Sequence, residues 1–286
     1  IMPRQTDIVY QTPEYPRQLR IDTSTFCNAK CLSCHRLLTA RQGILQLSQL
    51  DALLSDVARW KVPLSEIIPV NYGEFFAFPG WLSILEAISS KLPQTQITIP
   101  TNGSLLNADN VDQLCKVATV RLVNFSVNAY FEETYEKFMG LPVDTIQTII
   151  RAVARIKVQR PDIKTWASMV FDPSYQSDLE RDLFKEFWKT KVDAVWTIGA
   201  SSAGRPDKKV VISRSEPCRS IFSDIVVGYD GKLSSCCWDS AFSLDLGYYS
   251  GDLQKDWRNP KLEELRRIHN EHRRNEISLC SQCTSA

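Results

Sequence analysis

The chain of 286 residues has no apolar run near the roughly 18 residues that a membrane-spanning helix needs, so no span is expected. It has no charge bias either. Lys and Arg number 34 against 33 Asp and Glu, a net charge of +1, which gives no electrostatic reason to expect nucleic acid or an anionic membrane surface as a partner. Internal repeats and low-complexity tracts are missing, and the segment from Ile1 to Arg20, with three prolines and several charges, does not read as a signal peptide. The expected compartment is the cytoplasm. Ile1, ahead of Met2, is set aside as foreign to the natural start. What is present is 43% hydrophobic residues, enough for one large core or a large and a small one.

Nine cysteines are present, and a reducing compartment argues against disulfides. They cluster at Cys27, Cys31 and Cys34 and again at Cys218, Cys236, Cys237, Cys280 and Cys283, with Cys115 alone. Clusters of this kind point to metal.

From Leu19 to Ser201 short β-rich runs alternate with longer helical patterns. The expected strands are Leu19 to Thr25, Glu66 to Tyr72, Gln96 to Thr101, Val120 to Val127, Lys164 to Phe171 and Ala194 to Ile198. The expected helices are Leu47 to Trp60, Trp81 to Leu92, Asn107 to Val117, Val143 to Val158 and Ser177 to Thr190. Parallel neighbours need crossovers, so this alternation predicts a parallel α/β sheet, either a partial (β/α)6 barrel or an open doubly wound form. Ligands then bind at the C-terminal strand ends. Residues 204–209 read as a polar linker, followed by a hairpin at Ser223 to Ser235 turning at Tyr229-Asp230-Gly231 and a helical stretch from Pro260 to Arg274. The expected division is 1–204 for the barrel and 205–286 for a small C-terminal α+β domain.

Cys27, Cys31 and Cys34 have CxxxCxxC spacing directly after the first strand. Three thiolates can hold three irons of a 4Fe–4S cluster and leave the fourth open. The alternative is zinc, which wants four ligands, and His35 beside Cys34 is poorly placed to join the same tetrahedron. At the ends of the following strands lie Asn71-Tyr72-Gly73-Glu74, Thr101-Asn102-Gly103 and Ser126-Val127-Asn128. A lone strand-end Asn-Gly is common turn chemistry. Together, at successive strand ends, these segments are more specific.

In this combination the chain resembles the radical S-adenosylmethionine (SAM) superfamily. The resemblance implies that the open iron is chelated by the amino and carboxylate groups of SAM, and that one-electron reduction releases a 5′-deoxyadenosyl radical. It implies that Tyr72, Gly73 and Glu74 stand where the family has its GGE-type motif for the SAM amino group, with Tyr72 in place of the first glycine. Asn102, Ser126 and Asn128 are implied as further SAM contacts. Ser33, before the third cysteine, replaces a residue that is usually aromatic in that family.

The second set, Cys218, the Gly231-x4-Cys236 unit and Cys280-Ser281-Gln282-Cys283, resembles the SPASM and twitch auxiliary-cluster domains, as does the stretch from Leu246-Gly247 through Leu253, Trp257, Asn259 and Leu262 to Leu265-Arg266. A full SPASM module has seven cysteines and two clusters. Here the implied set is one 4Fe–4S cluster on Cys218, Cys236, Cys280 and Cys283, with spacings most like the twitch domains of radical SAM dehydrogenases that oxidise aminocyclitols. A four-cysteine zinc knuckle is the alternative. Cys237 is left over as a hydrogen-atom donor, a buried thiol, or the true ligand in place of Cys236. Cys115 is expected in the core, and His269 and His272, in a helix rich in Arg and Glu, at the surface. Trp166, Trp196, Trp238 and Tyr248 could shape a pocket or serve the core.

Two 4Fe–4S clusters and SAM are thus the implied cofactors, with an electron donor of flavodoxin or ferredoxin type. Loss of an electron from the substrate radical would give a dehydrogenase, return of a hydrogen atom an epimerase, and attack on a neighbouring group a cross-link. Peptide-modifying relatives often carry an N-terminal recognition domain. Only 26 residues precede Cys27, so a small-molecule substrate is expected ahead of a peptide. A non-catalytic iron–sulfur or zinc binding module is the alternative of a different class.

Overall fold

The structure, a computed structural model, describes residues 9–205 and 215–284. Of the expected linker, Gly204 and Arg205 are described and 206–209 lie outside the described residues. Six parallel strands, β1 (Gln18–Ile21), β2 (Glu66–Ile68), β3 (Gln96–Thr101), β4 (Val120–Ser126), β5 (Lys164–Phe171) and β6 (Ala194–Gly199), lie side by side in chain order. β1, β3 and β5 alternate exposed or half-buried with buried residues, whereas the edge strand β6 buries none; in β1 the fully buried Leu19 and Ile21 each stabilise the core by about 1.5–3 kcal/mol. The helices α1 (Leu47–Val57), α2 (Trp81–Lys91), α3 (Ala108–Lys116), α4 (Glu132–Met139), α5 (Thr145–Gln159) and α6 (Asp178–Trp188) supply the connections. α5 buries Ile149, Ala152, Val153 and Ile156, a stripe at helical spacing. α3 and α6 begin at side-chain caps, where Asn107 accepts from Asn110 N–H and Ser177 from Glu180 N–H. This is the partial (β/α)6 barrel, one of the two forms that the alternation predicts, with a small C-terminal α+β region after it.

That region starts by adding to the same sheet. β7 (Asp224–Val227) pairs parallel with β1, Leu19 opposite Ile225 and Ile21 opposite Val227, and β8 (Leu233–Ser234) returns antiparallel. The strand order is therefore β6-β5-β4-β3-β2-β1-β7-β8, with β1 inside the sheet and β6 at an edge. α7 (Leu253–Trp257), α8 (Pro260–Asn270) and the short α9 (Ser278–Ser281) follow. The C-terminal turn is held to the chain leaving β6: Ser202 Oγ donates to Gln282 O, and Ser202 N–H donates to Thr284 Oγ1 at 3.2 Å. The C-terminal region thus touches the sheet at β1 and again beyond β6. No helix among the described residues is long and apolar enough to cross a membrane.

Candidate functional site

Cys27, Cys31 and Cys34 lie in the loop after β1, and two features hold that loop. α4 ends at Gly140, with a left-handed φ of 62°, where an added Cβ would stand 2.9 Å from Lys30 Cβ. The last carbonyls of α4 accept from the loop, Met139 O from Lys30 N–H at 2.8 Å and Phe138 O from Leu32 N–H at 2.9 Å. From the other side Glu74 N–H donates to Phe26 O at 2.8 Å. A Cβ on Gly73 would meet Ser24 O at 2.2 Å, so only glycine lets the β2 end pack this closely on the cysteine loop.

The three cysteines, Tyr72, Gly73, Glu74, Asn102, Ser126 and Asn128 all border one cavity of about 240 Å³ at the C-terminal strand ends. Glu74 is buried, and its carboxylate accepts from Thr101 Oγ1 at 2.6 Å, Asn102 N–H at 2.7 Å and Phe76 N–H at 3.3 Å. It clamps the end of β3 to the end of β2. Asn102 carries the clamp onward, its Nδ2 donating to Asn28 Oδ1 at 2.9 Å and standing 4.0 Å from Cys27 Sγ. Asn128, at φ 64°, accepts from Val170 N–H at 2.8 Å. Its Nδ2 lies 3.1 Å from Met139 Sδ. Much of the polar rim is therefore bonded internally. Two buried donors on it have no hydrogen-bond partner among the described residues, Asn71 Nδ2 and Arg36 Nε.

The donor set fits a cluster of several irons. Burial pushes the Cys27 thiol up to about 11 and Cys31 up to about 12, and raises Cys34 as well, with Arg36 opposing the rise at Cys34. Thiols deprived of water become thiolates when a metal cation compensates them. Among the described residues no three Cys, His, Asp or Glu side chains gather tightly enough for a single metal ion. Zinc, with ligands about 2.0–2.3 Å from one centre, is the poorer fit; a 4Fe–4S cluster attaches each thiolate to a different iron.

A second, more enclosed cavity of about 120 Å³ is bordered by Cys218, Cys236, Cys237, Cys280 and Cys283. Asp239 shapes its rim. Fully buried, it accepts from Ser234 Oγ (2.9 Å), Ser243 N–H (2.6 Å), Ser243 Oγ (2.7 Å) and Leu244 N–H (3.0 Å), folding the chain that carries Cys236 and Cys237 into a compact loop. Burial raises the Cys236 and Cys237 thiols and pushes Cys280 up to about 12. Cys237, expected as a hydrogen-atom donor, a buried thiol or a ligand in place of Cys236, borders this cavity and not the barrel cavity. Cys115 is buried in the core.

Trp238 borders both cavities. Its ring lies 4.9 Å from that of His35, next to Cys34, and Ser240 Oγ donates to His35 O at 2.8 Å. Tyr72 reaches across as well, donating through its hydroxyl to Cys237 O at 2.6 Å. The bulk that replaces the family's first glycine is thus used to tie the barrel to the second cysteine loop. Trp196 and Tyr248 are largely exposed, and Trp166 packs on Trp196 at 5.5 Å.

His269 departs from expectation. It is 1% exposed and borders the second cavity, accepting at Nδ1 from Cys218 N–H at 3.0 Å with Nε2 3.7 Å from Cys280 Sγ. Burial, with Arg274 beside it, pushes its imidazole down to about 4. Its helix is polar overall, yet Leu262, Arg266 and His269 form one buried stripe at i, i+4 and i+7, a spacing that could have revealed it. His272 is half-buried. Arg36 and Arg274 also border the cavities, and no motif in the chain points to them; Asn71 opens the strand-end segment that carries Glu74.

The radical SAM superfamily profile matches residues 21–186, and that of an iron–sulfur cluster-binding domain, SPASM, matches residues 218–284. No curated protein matches the chain with significance. Among solved structures, BtrN in complex with AdoMet and 2-DOIA is similar at a TM-score of 0.68 and 14% identity, covering 98% of this chain and 95% of that one. Streptococcus suis SuiB bound to precursor peptide SuiA is similar at 0.70 and 16%, covering 89% of this chain and 67% of that one. Native anSMEcpe with bound AdoMet is similar at 0.66 and 16%, covering 93% and 88%. At such identities the likeness is one of fold. The profile spans more than half of the chain, and with cysteines and strand-end segments gathered at one cavity, the chain belongs to the radical SAM superfamily and carries a C-terminal SPASM iron–sulfur cluster-binding domain.

Proposed function

We propose that the chain reductively cleaves SAM and oxidises a small-molecule substrate, with one 4Fe–4S cluster at each cysteine cavity. Cys27, Cys31 and Cys34 would hold the first and leave its fourth iron for SAM, while Cys218, Cys236, Cys280 and Cys283 would hold the second. Tyr72, Gly73, Glu74, Asn102, Ser126 and Asn128 form the SAM wall, and Asn71 Nδ2 and Arg36 Nε are its donors for an anionic group. When bound, these groups supply hydrogen-atom removal from an unactivated C–H bond and a one-electron acceptor for the oxidation that follows. An external flavodoxin- or ferredoxin-type donor would reduce the first site. The work divides near residue 204, radical formation before it and the auxiliary site after it.

The observation that carries this reading is the shared wall. Trp238 borders both cavities, so the barrel space is one side chain away from the auxiliary site. Trp238, packed on His35, and the Tyr72 hydroxyl on Cys237 O keep that wall in position and exclude water from it. Oxidation is favoured over epimerisation because Cys237 borders the enclosed second cavity, away from the barrel space where a hydrogen donor would have to act. BtrN, solved with 2-DOIA, and SuiB, solved with a precursor peptide, represent both kinds of substrate. The small molecule is taken from the likeness to BtrN, which extends over 95% of that chain.

Anaerobic turnover in D2O with sugars, aminocyclitols, nucleosides and amino-acid derivatives tests the reading. The expected product is two hydrogens poorer, carries no solvent deuterium at the attacked carbon, and forms at near-parent rate in Cys237→Ser. A deuterated product of unchanged oxidation state, lost in Cys237→Ser, would overturn the oxidation. Turnover confined to peptides would overturn the substrate class.

A further inference from the structure

We infer that His269 and Arg274 raise the reduction potential of the auxiliary site, His269 by donating an N–H hydrogen bond to the Cys280 sulfur and Arg274 by setting a buried positive charge against the cavity. The inference rests on the reading of Cys280 as an iron ligand. The tautomer follows from geometry. Cys218 N–H occupies Nδ1 as donor at 3.0 Å, so the ring proton of His269 is on Nε2, which faces Cys280 Sγ at 3.7 Å. One imidazole therefore joins the backbone of one cysteine to the sulfur of another.

Arg274 is 1% exposed and borders the same cavity. Its neighbour Arg273 pairs in solvent with Glu271 and Glu276. Arg274 turns inward to two carbonyls, Nη1 donating to Glu216 O at 3.2 Å and Nη2 to Cys283 O at 3.3 Å, and its Nε is buried with no partner among the described residues. A buried guanidinium bonded only to neutral oxygens is costly unless an anion shares the site. A 4Fe–4S cluster on four thiolates is anionic in both redox states, and more so when reduced. A donor to its sulfur and a nearby cation both favour the reduced state. Steric clamping of the cysteine loops alone would leave the potential unchanged when these side chains are replaced.

The test uses the full chain with Cys27, Cys31 and Cys34 replaced by Ala, so that iron and spectroscopic signal belong to one site. In an EPR-monitored redox titration, His269→Phe should shift the reduced-to-oxidised ratio at a fixed potential at least tenfold towards oxidised, a midpoint about 59 mV more negative. His269→Gln, which keeps an N–H donor, should shift it less. Arg274→Gln should move the midpoint in the same sense and Arg274→Lys less, and this pair keeps the test decisive if His269→Phe does not load iron. Unchanged midpoints at full iron content in both His269→Phe and Arg274→Gln would overturn the inference. Absence of iron from the triple-Ala parent is a different failure, which would overturn the ligand reading itself.

Discussion

The two cysteine sites are built on opposite plans. The barrel set occupies one short loop, Cys27 to Cys34, clamped from outside by the end of α4 and by Glu74 N–H. The second set spans Cys218 to Cys283 and is gathered by tertiary structure: the β7–β8 pairing, the Asp239 loop, the buried face of α8 and the anchoring of Gln282 to Ser202. A site made by local chain is robust to distant change, whereas a site made by assembly depends on every element that delivers a ligand.

The largest expected effect separates the sites chemically. The loaded protein should contain about eight irons. Cys31→Ala should retain about four and lose 5′-deoxyadenosine formation completely, since the open iron can no longer be presented to SAM. Cys280→Ala should also retain about four irons yet still form 5′-deoxyadenosine. Equal loss of cleavage in both variants would erase the distinction.

The assembled site should be the more fragile one. Asp239→Ala leaves four donors without their buried acceptor, which costs on the order of 3 kcal/mol, and should empty the auxiliary site while barrel iron remains. Denaturant unfolding with iron counting measures both, and an unchanged auxiliary iron content would show that the loop is not what shapes the site.

Asp22, directly after β1, behaves differently. It accepts from Tyr72 N–H at 3.1 Å, and burial pushes its carboxyl up to about 6 against the opposing pull of Arg41 and Arg20. A raised folded value means stability that is full below about pH 4 and is lost as pH rises through about 6, on the order of 3 kcal/mol. Asp22→Asn should flatten that profile and unfold at higher denaturant than the parent at pH 7.5. A parent profile already flat between pH 4 and 7 would remove Asp22 as the cause. Smallest is Tyr72→Phe, which removes one hydrogen bond between the sites and should cost about 1 kcal/mol without loss of iron from either. Loss of auxiliary iron in that variant would make the tether part of the assembly.

The same contrast explains what could be read from the chain. β3 and β5 run over the residues expected, Gln96–Thr101 and Lys164–Phe171, because long alternating strands carry their own signal. β2 is shorter than expected, ending at Ile68, because the chain then leaves the sheet to present residues 71–74. α4 was not expected; its eight residues, Glu132–Met139, are mostly polar and bury only Tyr135, Phe138 and Met139. Several residues that border the barrel cavity fall in segments that follow a strand and so carry a local signal, whereas Arg36 and Trp238, which border it too, belong to no such segment. His269 was not, since its role depends on a buried face of an otherwise polar helix, and the addition of β7 beside β1 is a long-range pairing that no local pattern encodes.

That pairing also bears on how the protein is made. β1 emerges from the ribosome roughly two hundred residues before β7, an interval on the order of 10–40 seconds at ordinary translation rates. For that time the nascent barrel has a bare strand edge at β1, with unpaired amides that can recruit another chain. Contacts of such sequence separation slow the final step of folding. A chain that stops before Asp224 would keep the bare edge permanently, so deleting the C-terminal region should yield an aggregating barrel in place of an isolated radical-forming domain.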